Sequence, residues 1–324
     1  MNTNQVQQLN SAIEAVKARK ISNIYFVACG GSKAIFEPAQ YICDAEIAIP
    51  SAVYSGNEFN YRSPKGLGPE SLVVTCSHSG NTPETVAATT KAREAGALTI
   101  CFSFKPGSPL WEAAEYQIEY TWGPESNPSE SNNAMLLRLV FSVLNVLAPN
   151  EKYQKAVQSV DALDAIIAKN RAATLENAIA YGKSYKREPL IYTMSSGACY
   201  GVAYSFAICL LMEMLWIHSH AIHSGEYFHG PFEVTDYDVP FIIILNSGAT
   251  RYLDERALAF AKKYSDRVEV IDTKTFDMTG IPEDLHGYFA PVVLGSVLRQ
   301  YADQLAEHKG HPLSVRRYMW KMEY

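Results

Sequence analysis

The chain has 324 residues, of which 48% are hydrophobic and 19% are charged, and its formal net charge is −6. This length and composition predict a folded protein with one large or two ordinary domains and exclude extensive disorder. A nucleic-acid-binding protein that neutralises phosphates is usually basic, so the acidic charge disfavours that class.

Targeting segments and disulfides are not expected from the sequence. The first 20 residues are polar and lack the apolar core of a signal peptide. We find no run of about 18 apolar residues, and therefore expect no membrane span. The six cysteines lie far apart and form no C-x-x-C pair, which indicates reduced, buried thiols in a cytoplasmic protein.

The first half of the chain alternates strand and helix patterns. Short apolar runs predict strands at residues 23–28, 71–76, 97–103 and 116–120. A helical pattern covers residues 82–95, and a strongly apolar helix is predicted at 134–147. Strands that alternate with helices are typical of βαβ units and a parallel sheet.

The second half repeats this alternation after a long amphipathic stretch at residues 154–181. Further strands are predicted at 189–195, 240–245 and 268–272, and helices at 199–217 and 290–307. We therefore predict an α/β protein with two doubly wound, flavodoxin-like sheets, each sandwiched by helices. The predicted divisions are a first domain at 1–150, a helical bridge at 151–185 and a second domain at 186–324, whose aromatic and basic ending is expected to pack on the protein.

A loop rich in hydroxyl groups follows the predicted strand 71–76. We call it the serine loop, and it consists of Ser77, His78, Ser79, Gly80, Asn81 and Thr82. Thr82 and Pro83 suit the start of the next helix, where free N–H groups and the helix dipole attract anions. The hydroxyls could hold a phosphate monoester without lysine or metal; the alternative is an ordinary capped turn. No GxxxxGK[ST] motif is present, which disfavours nucleotide hydrolysis.

The glycine turn, Cys29-Gly30-Gly31-Ser32, follows the predicted strand 23–28. In a doubly wound sheet it could form a second wall of the same site. The motif alone is weak, because glycine turns after strands are common.

Glu213 lies in a helix that is apolar almost all round. A buried carboxylate needs a partner, a raised pKa or a catalytic task, because an unpaired buried charge is costly. A raised pKa would suit a base that removes a proton from carbon near neutral pH. The alternative is a structural glutamate paired with a nearby histidine or backbone amide.

Four histidines follow Glu213, at positions 218, 220, 223 and 229. His229 lies in a Phe-His-Gly-Pro turn and could transfer protons, although a satisfied turn histidine is the commoner case. The spacing matches no familiar zinc site, so no metal is expected. The absence of a GxSxG elbow excludes a Ser-His-Asp hydrolase of that kind.

Taken together, these motifs resemble the sugar isomerase (SIS) family. The likeness is carried by CGGS, CSHSGNTPETV, MEMLWIHSHAIHSGEYFHGPFE and HPLSVRRYMWKMEY, and it extends over nearly the whole chain as two tandem SIS domains. Within that family, the likeness is strongest to the fructosamine 6-phosphate deglycases. The isomerase half of glucosamine-6-phosphate synthase is also similar, but no glutamine amidotransferase segment precedes the sugar half here, so glutamine-fed amination is not expected.

The resemblance implies that the chain is an enzyme cleaving a 6-phosphorylated ketosamine, such as fructoselysine 6-phosphate, into glucose 6-phosphate and a free amino acid. It implies Glu213 as the base and His229 as the proton-transfer group. Substrate or phosphate contacts are then expected from the following residues: Gly31, Ser32, Ser77, His78, Ser79, Asn81, Thr82, Glu226 and Lys321. It also implies no cofactor, no metal, no nucleic acid, no membrane, and a cytoplasmic homo-oligomer with a shared active site. Either the same or the neighbouring subunit could supply His229.

Two other functions stay open at this point. A phosphosugar isomerase or glucosamine-6-phosphate deaminase would use the same base and the same phosphate loop. A non-catalytic sugar-phosphate sensor would usually carry a DNA-binding segment, whereas only about 20 residues precede the first strand. A carboxylate within an apolar helix favours catalysis over pure binding. The amino acid attached to the sugar is not determined by the sequence.

Overall fold

The computed structural model describes residues Met1–Glu323; the last residue of the predicted packed ending, Tyr324, lies outside the described residues. The chain divides into two compact units. Unit 1 comprises Met1–Asp164 and Gly280–Pro282, and unit 2 comprises Ala165–Thr279 and the chain from Glu283 onward. The division at 1–150, 151–185 and 186–324 stays a prediction.

Unit 1 contains a five-stranded parallel sheet in the order β2-β1-β3-β4-β5. The strands are β1 Asn23–Ala28, β2 Ser51–Ser55, β3 Ser71–Cys76, β4 Leu98–Ser103 and β5 Tyr116–Glu119. The helices are α1 Thr3–Lys17, α2 Gly30–Ala34, α3 Phe36–Glu46, α4 Gly56–Arg62, α5 Pro83–Glu94, α6 Pro109–Ala113, α7 Asn132–Leu147 and α8 Glu151–Ser159, with 3-10 turns at Pro128–Glu130 and Val160–Ala162.

The central strands of unit 1 are apolar because both of their faces are covered. Every residue of β3 and β4 is buried, as expected for a parallel sheet between two helical layers. The predicted strands at these positions are confirmed. The edge strand β2 was not predicted, because its half-buried sequence SAVYS lacks a continuous apolar run.

Unit 2 contains a four-stranded parallel sheet in the order β7-β6-β8-β9. The strands are β6 Tyr192–Ser195, β7 Ala221–His223, β8 Phe241–Leu245 and β9 Val268–Asp272. The helices are α9 Leu163–Tyr185, which starts at the division between the units, α10 Tyr200–Ser205, α11 Arg251–Tyr264 and α12 His286–Lys309. Short 3-10 turns lie at Gly197–Cys199, Pro231–Val234, Thr273–Thr275 and Glu283–Leu285.

The helix predicted at 199–217 is not a regular α-helix. A 3-10 turn leads into α10, and the segment Phe206–Met214 continues as a π-helix that contains Glu213. π-Helical segments are rare and often lie at functional sites. The stretch Gly197–Met214 is long and apolar enough to cross a membrane by length and composition alone, contrary to the expectation from the sequence, although core helices meet the same criterion.

Both sheets have their first strand between the second and the third strand of the unit, which is the flavodoxin-like order. The predicted α/β fold with two doubly wound, helix-flanked parallel sheets is confirmed. In such a sheet, ligands bind where the connections leave the first and third strands in opposite directions. That point is between β1 and β3 in unit 1 and between β6 and β8 in unit 2.

The cysteines are free thiols, and four of the six are buried. Burial raises the pKa of the Cys43 and Cys76 thiols to about 12. These thiols therefore stay protonated and unreactive near neutral pH, as predicted from their apolar surroundings.

Candidate active site

The glycine turn and the serine loop lie side by side in unit 1. The register pairs Ala28 with Cys76, so the two strands end next to each other. The Ser32 hydroxyl forms a hydrogen bond with the Cys76 thiol, and the Thr85 hydroxyl donates to Cys29 Sγ at 3.8 Å. The expected second wall is therefore adjacent to the loop.

The serine loop is held by its own hydrogen bonds. The Ser77 N–H donates to the carbonyl of Phe102 at 3.1 Å, and the Gly80 N–H donates to the carbonyl of Ser77 at 3.1 Å. The Ser77 and Thr82 hydroxyls lie 2.8 Å apart and share a hydrogen bond. The loop closes so that its first and last hydroxyls meet.

Several backbone donors of this loop are unused. Among residues Met1–Glu323, the N–H groups of His78, Ser79 and Thr82 donate to no protein acceptor. The loop leads into α5, with Pro83 at the first helical position, so the positive end of the helix dipole lies at the same place. Free N–H groups at the start of a helix form an anion-binding arrangement.

The predicted helix start at Thr82 is correct in position but not in mechanism. Thr82 occupies the N-cap position of α5, yet its side chain makes no capping hydrogen bond. Its hydroxyl instead pairs with Ser77. The first-turn amides therefore have no side-chain cap from Thr82.

Gly80 is required by the loop conformation. Its φ of 69° is in the left-handed region, and a Cβ atom there would lie 1.9 Å from Ser108 Oγ. The Gly80 carbonyl accepts a hydrogen bond from the N–H of Leu110 at 2.9 Å. Only glycine fits this contact between the loop and the start of α6.

His78 is surrounded by aromatic side chains rather than by acids. Its Nδ1 lies 2.9 Å from the Tyr120 hydroxyl, and its ring stacks on Phe104 at 5.3 Å and meets the edge of Trp122 at 5.0 Å. Desolvation lowers the pKa of His78 below its ordinary value. A neutral imidazole at pH 7 would contact a phosphate as a hydrogen-bond donor, not as a cation.

In unit 2, Glu213 has an arginine partner. Arg316 places both Nε and Nη2 2.9 Å from Glu213 Oε1. Arg316 is only 7% exposed, and its Nη1 donates to the carbonyls of Leu313 and Val315 at 2.7 and 3.0 Å. The partner is therefore neither the histidine nor the backbone amide of the alternative interpretation; the charge is balanced by a buried guanidinium near the end of the chain.

A cavity of about 580 Å³ opens beside this ion pair. It is lined by Met212, Glu213, Trp216, Ile217, His218 and residues 316–319. Because Arg316 binds Oε1 with two nitrogens, Oε2 of Glu213 takes no part in that ion pair. The arrangement can present Oε2 of this carboxylate to a small molecule in the cavity.

The structure does not bring the remaining predicted residues to this cavity. His229 is exposed, its N–H donates to the carbonyl of Glu226 at 2.9 Å, and its ring has no hydrogen-bond partner within residues 1–323. Lys321 donates through Nζ to the carbonyl of Arg316. The roles of His229, Glu226 and Lys321 stay predictions.

No group of three or more His, Cys, Asp or Glu side chains in the described part of the chain could hold a metal ion. The four histidines that follow Glu213 form no such group, and His223 Nδ1 accepts a hydrogen bond from the Gly225 N–H at 3.1 Å.

Comparison with known proteins defines the class. Residues 17–148 match the family model described as "SIS domain". The chain is 51% identical, over 98% of its own length and 97% of the relative's, to the fructosamine deglycase FrlB of Bacillus subtilis (strain 168). The chain therefore belongs to the SIS family, as its motifs predicted.

A second relative and a solved structure support the likeness to deglycases. The chain is 30% identical, over 97% of its length and 90% of the relative's, to the fructoselysine 6-phosphate deglycase of Escherichia coli (strain K12). A crystal structure from Bacillus subtilis, provisionally described as a phosphosugar isomerase, superposes with a TM-score of 0.96 at 51% identity and covers 98% of this chain and 97% of that one. The predicted likeness to fructosamine 6-phosphate deglycases is confirmed.

Proposed function

We propose that this protein is a fructosamine 6-phosphate deglycase, which hydrolyses a ketosamine such as fructoselysine 6-phosphate to glucose 6-phosphate and a free amino acid. The observation that carries the proposal is the 51% identity to a fructosamine deglycase over nearly the full length of both chains. The unused amides of the serine loop and the cavity beside Glu213 support it.

The substrate's phosphate accepts hydrogen bonds from the serine loop. The free N–H groups of His78, Ser79 and Thr82 and the dipole of α5 suit a phosphate dianion without a metal ion. Binding energy from this unreactive group is available to orient the sugar carbons that react.

Glu213 removes the proton from C1, the carbon that carries the amine. The neighbouring C2 carbonyl takes up the electron pair and forms an enaminol; a proton returned to C2 then gives the C1 imine of the aldose. Arg316 holds the carboxylate in place through Oε1, which leaves Oε2 as the atom that takes the proton.

Hydrolysis completes the reaction. Water adds to the C1 imine, the C1–N bond of the resulting carbinolamine breaks, and the nitrogen leaves as a free amine with one proton from solvent or from His229. The remaining C1 aldehyde is the open form of glucose 6-phosphate. The C2 carbonyl accepts the electron pair in the first step and the substrate nitrogen accepts it at the imine stage, so these steps need no separate cofactor.

The same proposal includes a cytoplasmic homodimer in which His229 of the partner subunit serves each active site. Its support is that the His229 ring is exposed and does not line the cavity beside Glu213. Light scattering of the purified protein would measure the oligomeric state.

A panel of ketosamine 6-phosphates, scored for glucose 6-phosphate and for free amine, tests the activity. Equal release of both products from fructoselysine 6-phosphate, and none from the unphosphorylated ketosamine, is the expected result. Interconversion of simple aldose and ketose phosphates without amine release would favour an isomerase instead.

Glu213→Gln tests the base. Removing general-base catalysis should lower kcat by about 10²- to 10⁴-fold while the affinity for the phosphorylated substrate changes little. Isothermal titration measures that affinity, and a melting curve controls for folding. Near-wild-type turnover would exclude Glu213 as the base.

A further inference from the structure

Two consecutive arginines of unit 2 have different surroundings. Arg316 is buried and engaged by Glu213 and by backbone carbonyls. Arg317 is exposed, lines the same cavity and forms no ion pair with a carboxylate in the described part of the chain. Its guanidinium instead lies 4.4 Å from the centre of the Trp216 ring.

Trp216 is held in an unusual conformation that supports Arg317. Its φ of 57° is in the left-handed region, which is rare for a bulky residue and occurs where surrounding structure stabilises it. The edge of its ring meets His311 at 4.5 Å. The indole therefore gives Arg317 a fixed face, and a cation–π contact leaves the N–H groups of a guanidinium free to donate.

The charge of the cavity lining favours an anionic ligand. Among the described residues that line the cavity, Glu213 is the only acidic one, and Arg316 balances its charge. Arg317 therefore remains as an uncompensated cation beside the proposed catalytic base. A planar guanidinium binds a carboxylate with two parallel hydrogen bonds.

We propose that Arg317 is a specificity-determining residue that binds the α-carboxylate of the amino acid attached to the sugar. This inference rests on the proposed function and deepens it, because it names the residue that distinguishes ketosamines of amino acids from those of simple amines. Ketosamines of simple amines lack the group that Arg317 binds and are poorer substrates.

The test compares two substrates that differ only in this group. One is the ketosamine 6-phosphate of the lysine side-chain amine, and the other is that of 1,5-diaminopentane, which is lysine without its carboxylate. Arg317→Ala should lower kcat/KM for the lysine substrate by about 10- to 100-fold, mainly through KM, and for the diaminopentane substrate by about twofold at most. Arg317→Lys should recover part of the loss.

Arg62→Ala provides a matched control, because Arg62 also lies over an aromatic ring, that of Tyr54 at 5.6 Å, but does not line the cavity. It should leave kcat/KM for both substrates unchanged. Equal losses for both substrates in Arg317→Ala would mean that Arg317 binds the phosphate or only supports the fold, and would overturn the inference. A wild-type protein that turns over neither substrate would instead overturn the proposed function itself, and the inference with it.

Discussion

The two units carry related loops at the same place in their sheets. The serine loop of unit 1 follows β3 and contains Ser-Gly-Asn-Thr at residues 79–82. In unit 2, β8 is followed by Ser-Gly-Ala-Thr at residues 247–250, within what we call the second loop, residues 246–250. Both loops lead directly into a helix. Sequence and topology alone would therefore predict an anion site equally well at either loop.

Their hydrogen bonds differ. In the second loop, the fully buried Asp254 accepts from the Asn246 N–H at 2.9 Å and from the Ser224 hydroxyl at 2.6 Å. The Thr250 hydroxyl pairs with Ser196 at 3.0 Å. The equivalent of Asp254 in the serine loop, four residues after Thr82, is the apolar Val86.

The comparison shows that the two loops differ in one backbone donor and one buried charge. In unit 2 the Asp254 carboxylate accepts from the Asn246 N–H, whose counterpart in unit 1 is the free N–H of His78, and its negative charge repels a further anion. Among the described residues, the N–H groups of Ser247 and Thr250 have no acceptor, as is also true of Ser79 and Thr82. In unit 1 no acid fills that role, and three amides stay free among the described residues. The difference depends on the residue four positions after the shared motif, Asp254 in unit 2 and Val86 in unit 1, and not on the motif itself.

The largest effect is expected when the second loop loses its internal carboxylate. Asp254→Val, which copies Val86, should destabilise the fold by about 4 kcal/mol, because buried donors of Asn246 and Ser224 lose their acceptor. Urea unfolding measures this. Val86→Ala is the control for volume at the equivalent position. A change below about 1 kcal/mol in Asp254→Val would show that the carboxylate does not organise this loop.

The next largest effect is expected at Gly80. Gly80→Ala combines a left-handed φ with a 1.9 Å approach to Ser108 Oγ and should cost about 3 kcal/mol of stability. Gly107→Ala is the matched control, since its φ is 71° but its Cβ would meet nothing within 4 Å. That variant should cost about 1–2 kcal/mol in the same urea titration. Equal costs would mean that the contact with Ser108 is unimportant.

A smaller effect is expected from substitutions of Thr82 and Thr250, the last threonine of each loop. Thr82→Val removes the hydrogen bond to Ser77 and should raise KM for a phosphorylated ketosamine about tenfold. Thr250→Val removes the pairing with Ser196 and should lower stability by about 1 kcal/mol without changing KM. Steady-state kinetics and melting curves of both variants measure these two effects. A raised KM in Thr250→Val alone would mean that the second loop, and not the serine loop, binds the phosphate.

The smallest effect concerns His78. Its lowered pKa means that the unfolded chain binds a proton more readily than the folded one, so stability falls as the pH drops below about 6.5. The wild-type melting temperature should therefore fall slightly more between pH 7 and pH 5.5 than that of His78→Gln. NMR of the imidazole protons should give a midpoint below 6.5; a midpoint above it would contradict the aromatic enclosure.

The sequence predicted those parts of the fold that depend on continuous local patterns. The fully buried strands β3 and β8 have unbroken apolar runs and were recognised. The edge strand β2 is half-buried throughout and β7 is only three residues long, so neither has a continuous apolar run that would mark it as a strand. The π-helical geometry around Glu213 was not predicted, because its apolar composition is equally compatible with an α-helix.

The candidate site was predictable only where its residues are neighbours in sequence. The serine loop could be recognised because its hydroxyls and the following helix start lie within a few residues. Arg316 lies 103 residues from Glu213, and no local pattern connects them. The same holds for Asp254, since its effect depends on which donors the fold brings to it.

The most direct test is a crystal structure of the Glu213→Gln variant with fructoselysine 6-phosphate bound. The account predicts phosphate oxygens within hydrogen-bond distance of the N–H groups of His78, Ser79 and Thr82, with the second loop unchanged. A phosphate bound at residues 246–250, or at Arg317, with the serine loop empty would contradict it.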